Sequence, residues 1–419
     1  MIRGFFILVI VVLSTTFLPA QTIRTDVLII GSSAAGVSAG IQAARSGVKC
    51  LLIMDVTQLK PIVSTEDLQY LEKIRDHYIN KTSAKSVTKE GLKPQPINTS
   101  QSAALIKNIT DTVKNLSIKL NSRVSKIKED GKGWEIKLMN GQKVKARIVV
   151  DATNNIYISK LLNIVTEQSR VKFNGINTQD YYNQSSYRTS GGAVYLQGAN
   201  NGIISSTLPI GVLMPINKDN IIVISNKLHN LSPQMAIGQA AGASAAYCAF
   251  FKTSTKDLNI RVIQGELLAF DAQLVPYADI SSRDLNARAL QRIGLTGILK
   301  PISFNNGNNS GINFDTSGVV LTESLRKPIR ELNSRSQIWF ADNKSDTLTI
   351  DKAISLIKFI AARGNELTPE IEKLWKSSFK FYSVFDLKRP ITRREFAVLA
   401  DTYIQPFNVK VDLTGKLLN

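Results

Sequence analysis

The sequence predicts an α/β fold: a parallel sheet in a three-layer domain with a β-meander and a cap insertion, followed by a mostly helical carboxyl-terminal domain. A strand, a glycine turn, a helix and a second strand follow one another from residue 26, which predicts the start of the sheet. Short β-branched segments between Asp-Gly and Asn-Gly turns fill 117–150, and segments of helical period recur later. We therefore expect an α/β domain over 21–284, with the cap insertion around 165–210, and a helical domain over 285–419.

The composition is that of a folded globular protein. The 419 residues are 43% hydrophobic and 20% charged, which excludes disorder and a small disulfide scaffold. Lys and Arg number 52 against 33 Asp and Glu, and the net charge of +19 favours nucleic acid, an anionic surface or a negatively charged cofactor as partner. Cys50 and Cys248 are the only cysteines and His77 and His229 the only histidines, so we predict no disulfide framework and no metal site.

Residues 1–20 resemble a secretion signal. An apolar run, FFILVIVVLSTTFLPA, follows Arg3 and ends in small and turn-forming residues near Ala20. We expect cleavage after Ala20, and therefore an exported protein in a periplasmic, cell-envelope or secreted location. An uncleaved anchor is the alternative, although the run is shorter than the roughly 20 residues that span a bilayer. Export argues against a nucleic-acid partner, and no later segment is apolar and long enough to predict a membrane span.

The most informative stretch is TDVLIIGSSAAGVSAGIQAARSGVKCLLIMD. Val27–Ile30 is typical of a buried strand and stops at a glycine, and the Ala-rich segment Ala34–Arg45 is typical of a helix. Val48–Met54 is a second buried strand. This order of elements predicts a βαβ unit that binds a dinucleotide, and the alternative is a βαβ unit that only packs.

Each residue type in this unit has a physical role. Gly31 permits a tight turn, and Gly36 lets the helix pack closely on the sheet while its first amide groups face a pyrophosphate. Asp55 would accept hydrogen bonds from the adenosine ribose. Ser33 stands where a glycine is usual and places a hydroxyl where the backbone approaches phosphate. The candidate cofactor-binding residues of the unit are Gly31, Ser32, Ser33, Ala34, Ala35, Gly36 and Asp55.

The unit resembles the amino terminus of the FAD-dependent oxidoreductases related to glutathione reductase and fumarate reductase, and above all their exported bacterial branch. The resemblance covers roughly 22–280 and implies a Rossmann-like FAD-binding domain in which this unit holds the ADP half of FAD. The family's second glycine-rich loop has no equivalent here. Instead, Leu68, Leu71, Ile74 and Tyr78 have the spacing of an amphipathic helix.

A basic β-meander follows a predicted helix over Ser102–Leu116. Strands are predicted over 117–130, over GWEIKLMNG and over QKVKARIVVDAT, the last of which returns to the main sheet through Ala146–Val150. Lys107–Arg147 contains 11 basic and 4 acidic residues. We interpret this strand face as a solvated surface, and binding to an anionic envelope polymer or substrate is the alternative.

Two later segments resemble the rest of an FAD site. Asp151-Ala152-Thr153 is similar to the family's ATG-type motif, and Gln234–Phe250 is similar to the closing helix whose amino terminus points at the flavin. The resemblance therefore implies further cofactor-binding residues, namely Ala152, Thr153, Ser225, Asn226, Ser232, Gln234, Met235 and Gly238. A tightly packed helix, in which small residues serve only sheet contact, is the alternative. Arg188, between the two segments, could hold an anionic group or form a structural salt bridge.

The carboxyl-terminal third shows helical periods and three similar phrases. VLTESLRKPI, TLTIDKAISLI and PITRREFAVLA each place an apolar residue and a Thr at the start of a helix, where Thr is a natural N-cap. The last resembles the ITRxEF signature of surface-layer-homology modules, which anchor proteins to cell-wall polymers. A helical domain that packs on the preceding domain is our main interpretation.

The function that these features predict is that of an exported FAD-dependent oxidoreductase, which transfers hydride between a small substrate and the flavin. No Ser-His-Asp set, carboxylate pair or metal cluster stands out in the sequence, so the catalytic residues stay unassigned. The alternative is a redox-inactive binding or envelope-associated protein derived from a flavoprotein. Ser33 and the missing loop favour that alternative, and so does Asn154-Asn155, which stands where family members tend to have Gly or Gly-Asp.

Overall fold

The computed structural model describes residues 22–59, 63–64, 67–68, 71, 99–164, 185–197, 202–229, 231, 233–281 and 283–418. The predicted signal, most of the predicted helix around Leu68–Tyr78 and the centre of the cap insertion lie outside these residues. The strands are β1 (Ile23–Ile30), β2 (Cys50–Ile53), β3 (Leu116–Lys119), β4 (Val124–Asp130), β5 (Gly133–Leu138), β6 (Lys143–Asp151), β7 (Ser190–Gln197), β8 (Ile203–Pro209), β9 (Ile221–Val223), β10 (Ile302–Asn305) and β11 (Ser310–Asn313).

The α-helices include one long apolar helix and several amphipathic ones. They are α1 (Ala34–Arg45), α2 (Thr99–Thr112), α3 (Tyr157–Leu161), α4 (Asn226–His229), α5 (Gln234–Phe250), α6 (Ile260–Ala269), α7 (Ala287–Thr296), α8 (Thr322–Leu332), α9 (Ser336–Asp342), α10 (Ile350–Ala361), α11 (Leu367–Ser377) and α12 (Arg393–Leu399). Among the described residues, none of these helices combines the length and the hydropathy that crossing a membrane requires.

The main sheet confirms the predicted α/β fold. Strands β3, β2, β1 and β6 lie parallel in that order, and β9 joins the end of β6 in parallel. The other half of β6 pairs with β5, which pairs with β4, both antiparallel, so the predicted meander returns to the sheet through β6. The carboxyl ends of β1, β2, β6 and β9 therefore meet at one edge of the sheet, where ligands bind in open α/β folds.

Alternating side chains of the central strands divide the core into two parts. On β1, Val27 and Ile29 face the helices α1 and α5, whereas Leu28 and Ile30 face the meander. Trp134 of β5 is buried on the meander side and donates its indole N–H to the Asn220 carbonyl at 2.8 Å. The parallel sheet thus carries helices on one face and the meander on the other, as the prediction of three layers requires.

Helices α1 and α5 cross with their backbones almost in contact. A Cβ at Gly238 would lie 2.0 Å from the Ala35 carbonyl oxygen, and one at Gly242 would lie 2.3 Å from that of Ala39. Ser38 also donates its hydroxyl to the Met235 carbonyl at 2.6 Å. Small residues on both helices therefore bring the two amino termini together beside the carboxyl edge of the sheet.

One predicted strand proves to be two. We expected a single strand over 117–130, but the chain turns after β3 at Asn121, whose φ is 50°, and resumes as β4. The Ser122 amide donates to the Met54 carbonyl at 2.9 Å, which holds the turn against the end of β2. The prediction was wrong because Asn tolerates the left-handed conformation without any glycine to mark the turn.

A second, four-stranded sheet has the order β10-β11-β8-β7. Strands β7 and β8 form an antiparallel hairpin within the predicted cap insertion, and β11 pairs with β8 at Ser310 and Ile204. The described carboxyl-terminal region is mostly helical, as predicted, but its β10-β11 hairpin belongs to the sheet of the insertion. The domain bounds at 284 and 285 stay a prediction.

The three similar phrases of the carboxyl-terminal region form a closed ring. The Val320 amide donates to the Ile391 carbonyl at 3.2 Å, the Leu348 amide to Val320 at 2.9 Å, and the Ile391 amide to Leu348 at 2.9 Å. Thr349 and Thr392 cap the helices that follow, as expected, whereas Thr322 is the first residue of α8 and Leu321 stands at the N-cap, so the expectation was wrong for the first phrase. Each phrase therefore donates to one neighbour and accepts from the other, an arrangement with approximate threefold symmetry.

Candidate dinucleotide-binding site

A cleft of about 520 Å³ opens at the carboxyl ends of β1, β2 and β6. It contains the glycine turn after β1, the acid after β2 and the turn after β6, so the structure brings together three predicted parts of the site. The lining residues are Ile30, Gly31, Ser32, Ile53, Asp55, Ser122, Arg123, Val124, Thr153, Asn154, Asn155 and Tyr157.

Glycine is required where β1 ends. Gly31 has a φ of +141°, and a Cβ there would lie 2.2 Å from the Ala152 carbonyl oxygen. Gly36 is similarly confined, since its Cβ would lie 2.9 Å from the Gly31 carbonyl oxygen. The turn after β1 and the start of α1 therefore press against the end of β6, which leaves the outer side of this turn to the cleft.

Ser33 is the N-cap of α1. Its Oγ accepts a hydrogen bond from the Gly36 amide at 3.2 Å and donates one to the Ala152 carbonyl at 3.1 Å. The side chains of Ala34 and Ala35 are buried against the core. The Ser33 hydroxyl thus stabilises the start of α1. It occupies the Gly36 amide, which would otherwise be able to bind an anion.

Asp55 forms an ion pair with Arg123 across the cleft. Arg123 Nε and Nη2 donate to Asp55 Oδ2 at 2.8 and 2.5 Å, and both side chains are more than half exposed. An exposed pair of this kind adds little to stability, so it can open when a ligand binds. Sequence reasoning missed Arg123, whose only signal was its place just after the turn that follows β3.

Asp151 organises the turn after β6. This buried carboxylate accepts from the Thr153 amide and hydroxyl at 3.2 and 2.6 Å, and from the Ser159 amide and hydroxyl at 2.8 and 2.6 Å. Thr153 Oγ1 also accepts from the Tyr157 amide at 2.7 Å. The backbone of 152–155 is therefore held in position at the cleft, and Asp151 is a positioning residue that sequence reasoning left out.

The amino terminus of α5 is occupied by another carboxylate. Asp67, fully buried, accepts from the Met235 amide at 2.7 Å. Gln234 donates its side-chain amide to the Leu228 and Leu231 carbonyls at 3.0 and 2.8 Å. The helix end that the resemblance directs at a flavin thus binds an anionic group of the chain itself.

The remaining residues that were predicted on the flavin side of the site have varied surroundings. Met235 is buried in the core and Gly238 faces Ala35 of α1. Ser225 accepts through its carbonyl from two amides of α4, and Asn226 begins that helix. Ser232 lies outside the described residues. Their cofactor-binding roles stay a prediction.

His229 brings a titratable ring beside the turn after β6. Its Nε2 is buried and has no hydrogen-bond partner among the described residues. Burial lowers the pKa of this imidazole, and the opposing effects of the Thr153 backbone and the Asp151 carboxylate do not reverse the shift. The ring is therefore neutral at neutral pH and can act as a hydrogen-bond acceptor.

Arg188 has a structural partner. It donates to Glu331 Oε2 at 2.9 Å and to the Tyr187 hydroxyl at 3.1 Å, and Arg188 lies outside the residues that line the cleft. The structure thus provides the salt bridge that we considered as the alternative to an anion-binding role.

Part of the basic face of the meander is paired with acids. Glu135 lies 3.2 Å from Lys128 and 3.6 Å from Lys145, and Asp130 lies 2.7 Å from Lys145. The hydrogen bond from Lys128 lowers the pKa of the Glu135 carboxyl, and that from Lys145 lowers the pKa of Asp130. These contacts agree with the interpretation of a solvated surface.

The residues of the cleft suit the ADP half of FAD. Asp55 supplies an acceptor for ribose hydroxyls, Arg123 supplies a cation for phosphate, and the turn at Gly31 carries no side chain that would fill the space. At the other end of the site, Asp67 already saturates the Met235 amide. The fit is therefore with the adenosine end of the cofactor.

Comparisons with known proteins agree with this geometry. Residues 26–167 match the family model described as FAD dependent oxidoreductase. No curated protein matches the chain.

Several solved structures match parts of the chain. One is the bacillithiol disulfide reductase Bdr (YpdA) from Staphylococcus aureus, with 17% identity over 31% of this chain and 38% of that chain and a TM-score of 0.23. Another is the p-nitrophenol 4-monooxygenase PnpA from Pseudomonas putida DLL-E4, with 13% identity over 42% and 46% and a TM-score of 0.26. A third is the rebeccamycin biosynthetic enzyme RebC with reduced flavin, with 14% identity over 34% and 35% and a TM-score of 0.26.

The chain spans less than half the length of each of these three proteins. The family model covers the glycine turn, the acid after β2 and the turn after β6, which are the parts that form the cleft. Residues 26–167 are therefore similar to the FAD dependent oxidoreductase family, and FAD is the cofactor that this family indicates.

Proposed function

We propose that the protein is an exported oxidoreductase that transfers hydride between a small substrate and FAD. The observation that supports this most is the cleft in which Gly31, Asp55 and Thr153 meet at the carboxyl edge of a parallel sheet. The apolar run before Ala20 supports export.

In this proposal the cleft holds the cofactor by its ADP half. Asp55 would accept hydrogen bonds from the ribose, and Arg123 would supply a cation for the pyrophosphate. The turn at Gly31 admits the dinucleotide beside the backbone of Thr153. Bound FAD supplies the hydride acceptor, and the protein supplies position and electrostatics.

The proposal predicts that Asp55→Asn weakens FAD binding about tenfold, because the amide replaces a charge-assisted acceptor of the ribose. The unfolding free energy should change by less than about 1 kcal/mol, since the Asp55–Arg123 pair is exposed. Titration of the purified full chain with FAD, followed by flavin fluorescence, measures the affinity.

Asp111→Asn is the matched control, because Asp111 forms a similarly exposed ion pair with Lys107 on α2. Asp111 is absent from the residues that line the cleft. Equal FAD affinities of the two variants would contradict the placement of FAD in this cleft. Failure of the unaltered protein to bind FAD would contradict the oxidoreductase proposal itself and favour a redox-inactive binding protein.

A second proposed function is attachment to an anionic envelope polymer through the carboxyl-terminal region. The ring of three phrases supports it, and so does a cleft of about 420 Å³ beside PITRREF. Arg283, Lys380 and Tyr382, which is 96% exposed, line this cleft together with Glu395 and the Arg394–Asp284 ion pair. Cations and an exposed aromatic ring suit an acidic saccharide, which offers carboxylates and an apolar sugar face.

This second function predicts that Lys380→Gln combined with Tyr382→Ala reduces retention on immobilised polygalacturonate about fivefold. Lys376→Gln, an exposed lysine of α11 outside the cleft, is the control and should leave retention unchanged. Unchanged retention of the double variant would contradict polymer binding at this cleft.

A further inference from the structure

The last turn of α5, the residue after it and the first turn of α6 form an exposed cluster of three aromatic rings and one valine. We call this cluster the aromatic ledge and define it as Tyr247, Phe250, Phe251 and Val262. Phe250 is 65% exposed, Phe251 55% and Val262 44%. The Phe251 ring packs against Tyr247 at 4.8 Å and against Phe250 at 5.1 Å between centroids. The ledge is thus a contiguous apolar surface. Such a patch calls for an explanation, whereas single exposed apolar residues do not.

The ledge borders a groove of about 220 Å³ between α5 and α6. Ala243 and Ala246 form its floor and Ile263 one wall, and Ser46 and Glu266 are its polar members. The groove is therefore mainly apolar, and its aromatic rim projects into solvent.

The ledge lies at the edge of the sheet opposite the dinucleotide cleft. Ser46, which lines the groove, precedes the start of β2, whereas Asp55, which lines the cleft, follows the end of that strand. Because β1 and β2 are parallel, β1 also begins at this edge, with Ile23.

Charged residues of both signs lie at the edge of the sheet that carries the ledge, and the exposed acids among them are Asp26 and Asp257. Lys252 and Lys256 follow it in sequence, and Lys49 precedes β2 at the same edge. Lys256 pairs with Asp219 at 2.5 Å, whereas Lys49 and Lys252 are exposed. With a net charge of +19, the protein as a whole is attracted to anionic surfaces, and this edge carries both the aromatic and the cationic groups that such a surface binds.

We propose that the aromatic ledge docks on an anionic phospholipid bilayer, with Phe250 and Phe251 inserted at the headgroup level. Aromatic rings beside lysines are favoured at this interface, where the ring loses water and the ammonium meets phosphate. In this orientation the dinucleotide cleft opens away from the bilayer, toward soluble substrate. The proposal does not depend on FAD, because the ledge and the cleft share no residue.

The test uses the full chain with Phe250→Trp and vesicles that contain brominated phosphatidylglycerol. The natural tryptophans, Trp134, Trp339 and Trp375, are buried, so quenching by bromine reports on the new ring. We expect its emission to fall about twofold on these vesicles, and much less at high salt, as for interfacial insertion supported by charge. Tyr382→Trp, which places the same ring at an exposed site of the carboxyl-terminal region, should keep its emission.

Repeating the measurement with the chain that begins at residue 21, after the predicted cleavage site, separates docking by the ledge from attachment by the apolar run near the amino terminus. Unquenched Phe250→Trp would overturn the proposal, as would equal quenching at Tyr382→Trp. A dimer in sedimentation velocity that disappears with Phe250→Ser/Phe251→Ser would assign the ledge to a second copy of the chain and also overturn it. If Phe250→Trp fails to fold, Phe251→Trp gives the same readout.

Discussion

At the residue scale, the cleft depends on carboxylates with different structural roles. Asp55 is exposed and paired with Arg123, so it is free to exchange partners, whereas Asp151 is buried and saturated by Thr153 and Ser159. Asp67 is likewise buried and holds the Met235 amide. One carboxylate is therefore available to a ligand, and the other two position the backbone around it.

Sequence patterns could predict Gly31 and Asp55, because their roles follow from a local spacing within one βαβ unit. They could not predict Arg123, Asp151 or Asp67. Arg123 meets a carboxylate 68 residues away, and the Asp67 contact joins residues separated by 168 positions. Such contacts depend on the packed fold, for which a single sequence carries no local signal.

Asp401 gives the protein a predicted pH dependence. Burial raises the pKa of its carboxyl to about 6, against the opposing effect of Arg292, whose Nη1 lies 3.5 Å away. A folded-state pKa above the unfolded value favours the protonated, folded form at low pH. The contribution of this residue to the free energy of unfolding should therefore fall by about 2 kcal/mol between about pH 4 and 6.

Asp401→Asn removes this titration and should flatten that part of the stability curve, as measured by urea unfolding at several pH values. Asp342→Asn, at an exposed position at the end of α9, serves as the control and should keep the wild-type slope. A wild-type slope in Asp401→Asn would show that Asp401 titrates at its ordinary pKa.

At the element scale, the crossing of α1 and α5 determines where the two helix starts lie. Gly238→Ala should destabilise the protein by about 2 to 4 kcal/mol, because the added methyl group meets the Ala35 carbonyl oxygen at 2.0 Å and the helices must separate. Thermal or urea unfolding followed by circular dichroism measures the loss.

Gly265→Ala is the matched control on α6, where a Cβ meets nothing within 4 Å. Since alanine favours the helix, this change should stabilise the protein by about 0.5 to 1 kcal/mol. Two variants of equal stability would contradict the close crossing.

Elements with a clean period were predictable, and those that depend on distant partners were not. The segments Ala34–Arg45 and Gln234–Phe250 were predicted as helices with the bounds that α1 and α5 have in the structure. The β10-β11 hairpin escaped prediction, since its segments gain their pairing from β8, about a hundred residues earlier. In the sequence, the three phrases form only an irregular repeat. The hydrogen bonds of the structure show that they form a ring.

At the scale of the whole molecule, the two edges of the main sheet carry different surfaces. The carboxyl edge opens into the cleft with Asp55, and the amino edge presents the ledge with Phe250. The carboxyl-terminal region is joined to the preceding α/β region by the pairing of β11 with β8. Arg261 of α6 adds to this contact, since its buried guanidinium donates to the Val409 and Leu295 carbonyls at 3.2 and 3.4 Å. Of the net charge of +19, the segment Lys107–Arg147 contributes a surplus of seven, since it holds 11 basic and 4 acidic residues, and Lys49 and Lys252 are exposed at the edge that carries the ledge.

We infer that this chain binds FAD in the cleft at the carboxyl edge of its sheet. The most direct measurement is the visible absorbance of the purified full chain, before and after FAD is added and the excess removed. We predict a retained flavin spectrum at about one FAD per chain, together with a rise in the unfolding temperature on binding. A protein that retains no flavin and whose unfolding temperature does not respond to FAD would contradict the claim.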